Sequence, residues 1–385
     1  MMELIDLILG AVFGVLCDRI YIEFVLPFFK SLRMRKDQAT SKKLYFSRKT
    51  MDYILRTHKN DYVYNCKIGE TSISIPFITT LLWESLDIDV LEHENIITYV
   101  NTTKCNYPVH DKLIKRKQKQ GLNLFDDPSL FVHSISYDKN HFEVQAGQYS
   151  YFQRISYVFD FRKETYNCIF SHVRTNEKLR KKYLKNINGN YVLSDNVIPF
   201  GCDTVFVIKI DNEYKICIHE RSKETVNYPG AYMVVPSFGF GCIKNISNPL
   251  LYSFLREYCE ELFNRAETSS EDNHIDPFWF YKQYEEVADI LELIKKNEFY
   301  IHVIGCGFDA IEGFFNISLL AIVKDDMLSK KIYNNCIGNW ETANHNIKFV
   351  SIKSKELEAI LKRNCYCPST AFSISRAIKI INSMM

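Results

Sequence analysis

Apolar residues recur along the chain at two spacings, and their order predicts strands alternating with helices. Near-continuous apolar runs predict strands at Asp203–Ile210 and Tyr214–His219, joined by a turn at Asp211-Asn212-Glu213. Two more are predicted at Phe299–Ile304 and Phe315–Val323, and another at Ile347–Ile352 before a helix around Glu356-Leu357. The run Tyr232–Gly241 is apolar and closes on a proline and glycine turn. Asn248-Pro249 then offers a capping side chain and a proline at the first helical position. Leu250, Phe254, Leu255, Tyr258 and Leu262 follow at helical spacing and form one buried stripe. Phe372, Ile374, Ala377, Ile378 and Ile381 share a face in the same way, so Ser369–Ile381 is predicted to be a helix covering the sheet. Upstream the pattern is coarser: Ser72–Phe77 and Tyr157–Phe161 read as strands, with a helix around Pro76–Leu86.

From Leu4 to Phe29 the chain is apolar apart from Asp6, the Asp18-Arg19 pair and Glu23. That is long enough for a bilayer core, which takes about 20 apolar residues, and Arg19 and Glu23 are spaced to neutralise each other. Lys30, Arg33, Arg35, Lys36, Lys42 and Lys43 crowd its carboxyl side. The positive-inside rule then predicts a single-pass anchor with the remainder cytoplasmic. An amphipathic core helix is the alternative. Gly10 and Gly14 form a small-xxx-small pair that would let such helices associate, which predicts a homo-oligomer.

Composition narrows the choices further. At 385 residues, two folded units fit behind an anchor, over 31–195 and 196–385, with 1–30 as the anchor itself. Aromatics at 14% and few glycines predict packed cores. A net charge of +2 gives no basis for bulk nucleic-acid binding. The 12 cysteines lack paired metal-ligand spacing and are expected to be reduced core thiols. Two basic clusters, Lys115–Lys119 and Lys178–Lys182, read as solvated faces.

The chemistry concentrates in Arg256-Glu257-Tyr258-Cys259-Glu260-Glu261-Leu262. Glu257, Glu260 and Glu261 are three and four residues apart, so they project from one side of the predicted helix. Arg256 can pair with Glu260, which leaves carboxylates for a hard divalent ion such as Mg²⁺. A solvated acidic helix face is the alternative. Strand, glycine loop and capped helix precede these carboxylates in order, and the segment resembles the Nudix box, G-x5-E-x7-R-E-U-x-E-E-x-G-U, with U a bulky apolar residue. Arg256, Glu257, Tyr258, Glu260 and Glu261 match it directly. The upstream glutamate of the pattern falls on Asn248 and its first glycine on Cys242, one place after Gly241; its last two positions fall on Phe263 and Asn264. The resemblance implies metal-binding or catalytic roles for Glu257, Glu260 and Glu261, and a nucleotide-binding surface around Arg256, Gly239 and Gly241. Trp340-Glu341 precedes a strand where many such domains supply another acid, which implies a place for Glu341 near the metal. The implied fold is α/β: a Nudix-like α/β/α sandwich with a mixed sheet, preceded by a mixed α+β middle region and a single transmembrane helix.

Anchor, middle region and degenerate box together resemble the transmembrane–Nudix effectors associated with bacterial cyclic-oligonucleotide anti-phage systems. That resemblance implies a bacterial inner-membrane location, a cyclic-nucleotide ligand made by a partner synthase, and membrane disruption with abortive infection as the outcome. Two further readings stay open: a Mg²⁺-dependent hydrolase of nucleoside diphosphate derivatives, membrane-tethered or housekeeping, and a sensor that grips its ligand without turnover.

Overall fold

The computed structural model describes residues 39–384 except 60, 61, 70, 101–104, 121, 123, 139–140, 172–176, 185–190, 193–196, 242–245, 267–275 and 363–364. The expected anchor over 1–30, with Gly10 and Gly14, lies outside these residues. Among the described residues no helix is long and apolar enough to cross a membrane.

In chain order the elements begin with α1 (Arg48–Thr57), β1 (Tyr62–Ile68), β2 (Thr71–Thr79), the single turn α2 (Leu81–Glu84) and β3 (Ile88–Asp89). Next come β4 (Ile97–Tyr99), α3 (Asp111–Lys119), the hairpin β5 (Pro128–Asp138) and β6 (His141–Ser150), α4 (Tyr151–Phe170), α5 (Lys178–Tyr183) and β7 (Tyr191–Val192). The later part runs β8 (Phe200–Ile210), β9 (Glu213–Arg221), β10 (Tyr232–Val234), β11 (Ser237–Gly239), α6 (Pro249–Phe263), α7 (Trp279–Gln283) and α8 (Glu285–Lys295). It ends with β12 (Phe299–Asp309), β13 (Phe314–Val323), α9 (Asp326–Asn335), β14 (Thr342–Ser351), α10 (Lys355–Lys362) and α11 (Pro368–Met384).

A ten-stranded mixed sheet carries the molecule, in the order β1-β2-β12-β13-β8-β9-β10, with β3, β11 and β14 pairing β12, β8 and β9. A parallel ladder joins β13 to β8, from Phe315↔Phe200 to Ile322↔Val207. The β8–β9 hairpin turns in two residues, and Asp211 and Asn212 both take positive φ, 53° and 63°. Asp and Asn tolerate that left-handed backbone, which matches the twist of the flanking strands.

Both faces of the sheet are buried, so its central strands are apolar on both sides. Val205, Val207, Leu320 and Ile322 face a core closed by α10 and α11 through Leu357, Ile360, Phe372, Ala377 and Ile381. Phe206, Ile208, Leu319 and Ala321 face the opposite core, with Phe254, Tyr258, Leu262 and Ile290 from α6 and α8. Layers of helix, mixed sheet and helix result.

Residues ahead of 195 join this body. The hairpin β1–β2 extends the large sheet through Phe308↔Ile78 and Asp309↔Phe77, and β3 adds His302↔Asp89 and Val303↔Ile88. A second, four-stranded sheet in the order β4-β6-β5-β7 packs with α4 into the core that α6 lines.

Three expectations need correction. Tyr157–Phe161 lies inside α4, because Ser150 and Gln153 form a reciprocal capping box that starts a 20-residue helix, and Tyr157, Val158 and Phe161 fill the core from it. The helix expected over Pro76–Leu86 shrinks to α2, because strand β2 continues to Thr79 by pairing with β12. Of the basic clusters, 115–119 lies on α3, while 178–182 sends Arg180 into the interior, where it bonds His58 and Thr165 at 3.0 and 2.8 Å.

Candidate functional site

Helix α6 is placed by its cap. Asn248 accepts the Leu251 N–H at 3.0 Å, and its amide donates to the Val90 carbonyl at 2.7 Å, so the position is a structural cap pinned to the segment after β3. From there the helix carries Tyr252, Phe254, Leu255, Tyr258 and Leu262 into the core. The opposite side of its third and fourth turns presents Arg256, Glu257, Glu260 and Glu261 to a cleft. Asn264 ends it in the left-handed conformation, φ 50°, a backbone that Asn adopts more readily than most residues.

Two adjoining cavities open onto these carboxylates. One, of about 240 Å³, is lined by Glu257 and Glu261, by Ser237–Gly239 of β11, and by Glu341. Its other walls include Arg221, Tyr228, Asp203, Asp309, Glu312 and Asn316 from the sheet and its turns. The second, of about 280 Å³, shares Glu257, Glu261, Gly239, Trp340 and Glu341 and adds Arg256, Glu260, Phe240 and Gly241. Every site residue expected from the sequence therefore borders one or both of these adjoining cavities, which together make up the cleft. Tyr151 and Arg154, from the first turn of α4, close both cavities on the remaining side.

Within the cleft the charges are arranged unequally. Arg256 pairs with Glu257 at 2.5 Å and approaches Glu260 at 4.0 Å. Arg221 pairs with Glu341 at 2.9 Å. Glu261 is 3% exposed and accepts one backbone bond, from Ser237 N–H at 2.8 Å. Burial, with Glu257 and Glu341 nearby, raises its pKa well above the carboxylate range, against the opposing pull of the Ser237 N–H and Arg221. Burial also pushes Glu257 up to about 8, Arg256 opposing the shift and Glu260 adding to it. Burial disfavours the charge on Arg256, yet Glu257 and Glu260 outweigh it and hold the guanidinium firmly protonated.

A second acidic group forms the deeper wall. Tyr228 donates its hydroxyl to Asp309, which also accepts the Ile311 and Glu312 N–H groups at 2.7 and 3.1 Å. Burial and the neighbouring Glu312 push Asp309 up to about 7, against those hydrogen bonds. Arg162 of α4 holds Glu312 at 2.6 Å. Asn316 donates to Asp203 at 3.2 Å, while its own side-chain oxygen is buried without a hydrogen-bond partner.

Does this donor set suit a hard divalent cation? Among the described residues no three His, Cys, Asp or Glu side chains are grouped as a ready ligand set. Mg²⁺ does not require one, since it commonly takes one or two carboxylates and completes its octahedron with phosphate oxygens and water. Glu257, half-buried and bonded to Arg256, and Glu261, buried and without an arginine partner, lie a turn apart and face one cavity, which fits that pattern; Glu260 and Glu341 also stand beside arginines. Mutual repulsion between buried carboxylates is what a cation would relieve.

Arg154, Arg221, Asp203, Asp309, Glu312 and Asn316 escaped the sequence reading. Only Arg154 had a local signal: the Ser150-x-x-Gln153 box starts a helix that puts it in the first turn. The others reach the cleft through strand pairing across more than a hundred residues.

No family profile and no curated protein matches the chain. Among solved structures it is similar to a C. elegans Ap4A hydrolase binary complex, with 12% identity over 49% of this chain and 100% of the other and a TM-score of 0.27. A Nudix hydrolase from M. smegmatis, RenU, matches 49% of this chain and 88% of its own at 11% identity, TM-score 0.28. A MutT/nudix family protein from Enterococcus faecalis matches at 10% identity over 47% of this chain and 57% of its own, TM-score 0.25.

Proposed function

We propose that the chain binds a nucleoside phosphate derivative in this cleft, with a divalent cation held by Glu257 and Glu261. The observation that carries the reading is the charge imbalance. Glu257, Glu260, Glu261 and Glu341, with Asp203, Asp309 and Glu312 on the deeper wall, share the cleft with Arg256, Arg221 and Arg154, so seven acids meet three arginines. A cation restores the balance and gives phosphate oxygens a partner in a cavity they would otherwise avoid. When bound, the cation polarises phosphoryl oxygen and neutralises ligand charge. The chain's own part is to orient the two carboxylates, through the α6 backbone and the Ser237 N–H, and to keep the cavity narrow.

Binding without turnover is the reading favoured by Asn248, which serves as a helix cap and supplies no carboxylate. In its finer form, the ligand is a cyclic oligonucleotide from a partner synthase, and residues 1–30 carry the signal to a membrane as a self-associating anchor. Hydrolysis of a nucleoside diphosphate derivative is the second reading. It is favoured by Glu260 and Glu341, which border the same cavity as the two cation ligands and leave a carboxylate over to take a proton from water.

The deciding experiment mixes the full-length chain with Mg²⁺ and a panel of cyclic oligonucleotides and nucleoside diphosphate derivatives, reading affinity and products together. Tight binding of an intact cyclic oligonucleotide supports the sensor; metal-dependent products that vanish in Glu257→Gln support the hydrolase. No Mg²⁺-dependent binding of any member would sink both.

A further inference from the structure

We propose that Arg154 is the anion-binding group of the cleft and takes a phosphate of the ligand. This rests on the nucleoside-phosphate reading above and names the side chain that would recognise the ligand's charge. Arg154 comes from α4, outside the 196–385 segment that contains the acidic motif, and lines both cavities.

Its partners set it apart from the other arginines nearby. Arg256, Arg221 and Arg162 are each committed to a carboxylate. Among the described residues Arg154 has no ion pair and no hydrogen bond, and its Nε is buried without a partner. What holds it is aromatic: the guanidinium lies over the rings of Tyr151 and Phe314, 5.6 and 5.2 Å from their centroids. That leaves its planar fork of donors without an acceptor, the arrangement that a phosphate fills in a bidentate manner.

Gly239 makes the room. A Cβ built there would come within 2.4 Å of the Arg154 Nη1. The bare backbone lets the guanidinium lie against β11, and because the clash involves the flexible end of a side chain, an added methyl should move Arg154 rather than unfold the strand. Glu257, Glu261 and Glu341 border the same cavity without pairing to Arg154. A ligand phosphate would thus lie between a guanidinium and a carboxylate-bound cation, with no bond made or broken by Arg154.

The test titrates the full-length chain, at fixed Mg²⁺, with ADP, inorganic pyrophosphate and adenosine by calorimetry. Arg154→Gln should weaken ADP and pyrophosphate by about 10- to 100-fold, the range of a hydrogen-bonded charge. Mn²⁺ binding, read by water-proton relaxation, should stay at the native level in that variant. Gly239→Ala should reproduce the loss with an unchanged thermal melt, and Arg154→Lys should recover only part of it. Equal loss for ADP and pyrophosphate assigns Arg154 to phosphate itself. A loss for adenosine as large as for ADP overturns the phosphate role, and so does ADP binding in Arg154→Gln as tight as native. If the native chain binds Mn²⁺ but neither ADP nor pyrophosphate, the nucleoside-phosphate reading falls and this assignment with it.

Discussion

Glu261 illustrates how a residue can weaken the fold in order to serve a site. It is buried, near two other carboxylates, and satisfied by a single backbone donor. Glu261→Gln keeps an oxygen for the Ser237 N–H and removes the charge. The variant should therefore melt about 1–2 °C higher than the native chain without metal, an increment of ~1 kcal/mol. It should also lose the Mg²⁺-dependent rise in melting temperature, so paired melts with and without Mg²⁺ check both halves. Asp309 makes a separate prediction. Its carboxyl is raised from 3.8 to about 7, so its contribution to stability is complete below pH 3.8 and is lost as pH rises through 7. Asp309→Asn keeps acceptors for the Ile311 and Glu312 N–H groups but cannot ionise. Denaturant midpoints from pH 4 to 8 should fall in the native chain relative to this variant, and a constant difference would show that Asp309 titrates normally. Buried His219 moves the other way, lowered to about 3 by burial and Arg221, and the comparison between the two chains cancels it. Of these residues, Glu261 was legible in the sequence because helical spacing alone puts it beside Glu257. Asp309 was not, because only the pairing of β12 with β2 and the Tyr228 turn bring it to the cleft.

At the scale of elements, legibility followed the location of the deciding information. Helix α6 was readable because its cap, its proline and its apolar period are all local. The strands β8, β12 and β13 were readable because both sheet faces are covered, which makes them apolar at most positions, while β9 and β14 showed only through the shorter apolar stretches around Ile216–Ile218 and Ile347–Val350. Helix α4 was misread at Tyr157–Phe161, where β-favouring aromatic and branched residues are concentrated. There the capping box and the packing of Tyr157 and Phe161 prevail over propensity. The cap of α6 carries its own prediction. Asn248→Ala removes the acceptor for Leu251 N–H and the donor to the Val90 carbonyl. Loss of the cap costs about 1 kcal/mol, and a second lost bond adds a similar amount. Asn248→Asp keeps the cap but not the donor, so chemical denaturation should rank native, Asp and Ala in that order. Equal stability for all three would mean that Pro249 and packing fix the helix start unaided.

The whole molecule sets the limit on how far the acidic motif can be studied alone. A chain beginning at residue 196 retains the motif and most of the large sheet, yet it leaves β12 without β2 and β3 along one edge. It also uncovers the core that receives Ile78, Trp83, Tyr157, Val158 and Phe161, all essentially inaccessible to water in the intact fold. Each such side chain contributes roughly 1.5–3 kcal/mol by burial, so five of them together are comparable to the ~5–15 kcal/mol net stability of an ordinary domain. Glu312 would also lose Arg162, leaving a buried carboxylate uncompensated. The shortened chain should therefore show no cooperative calorimetric transition, should bind a hydrophobic dye, and should lose near-ultraviolet dichroism. A chain beginning at residue 39 should melt cooperatively. If the chain from 196 instead melts in one sharp transition, the sheet is self-sufficient and the upstream elements serve only the cleft. The expected failure would have a functional meaning as well, because the same residues that complete the core deliver Tyr151 and Arg154 to the cavity. Occupancy of the cleft would then be coupled to the packing of α4 by the shared wall itself, and ligand should raise the melting temperature of the chain from 39 as a single unit.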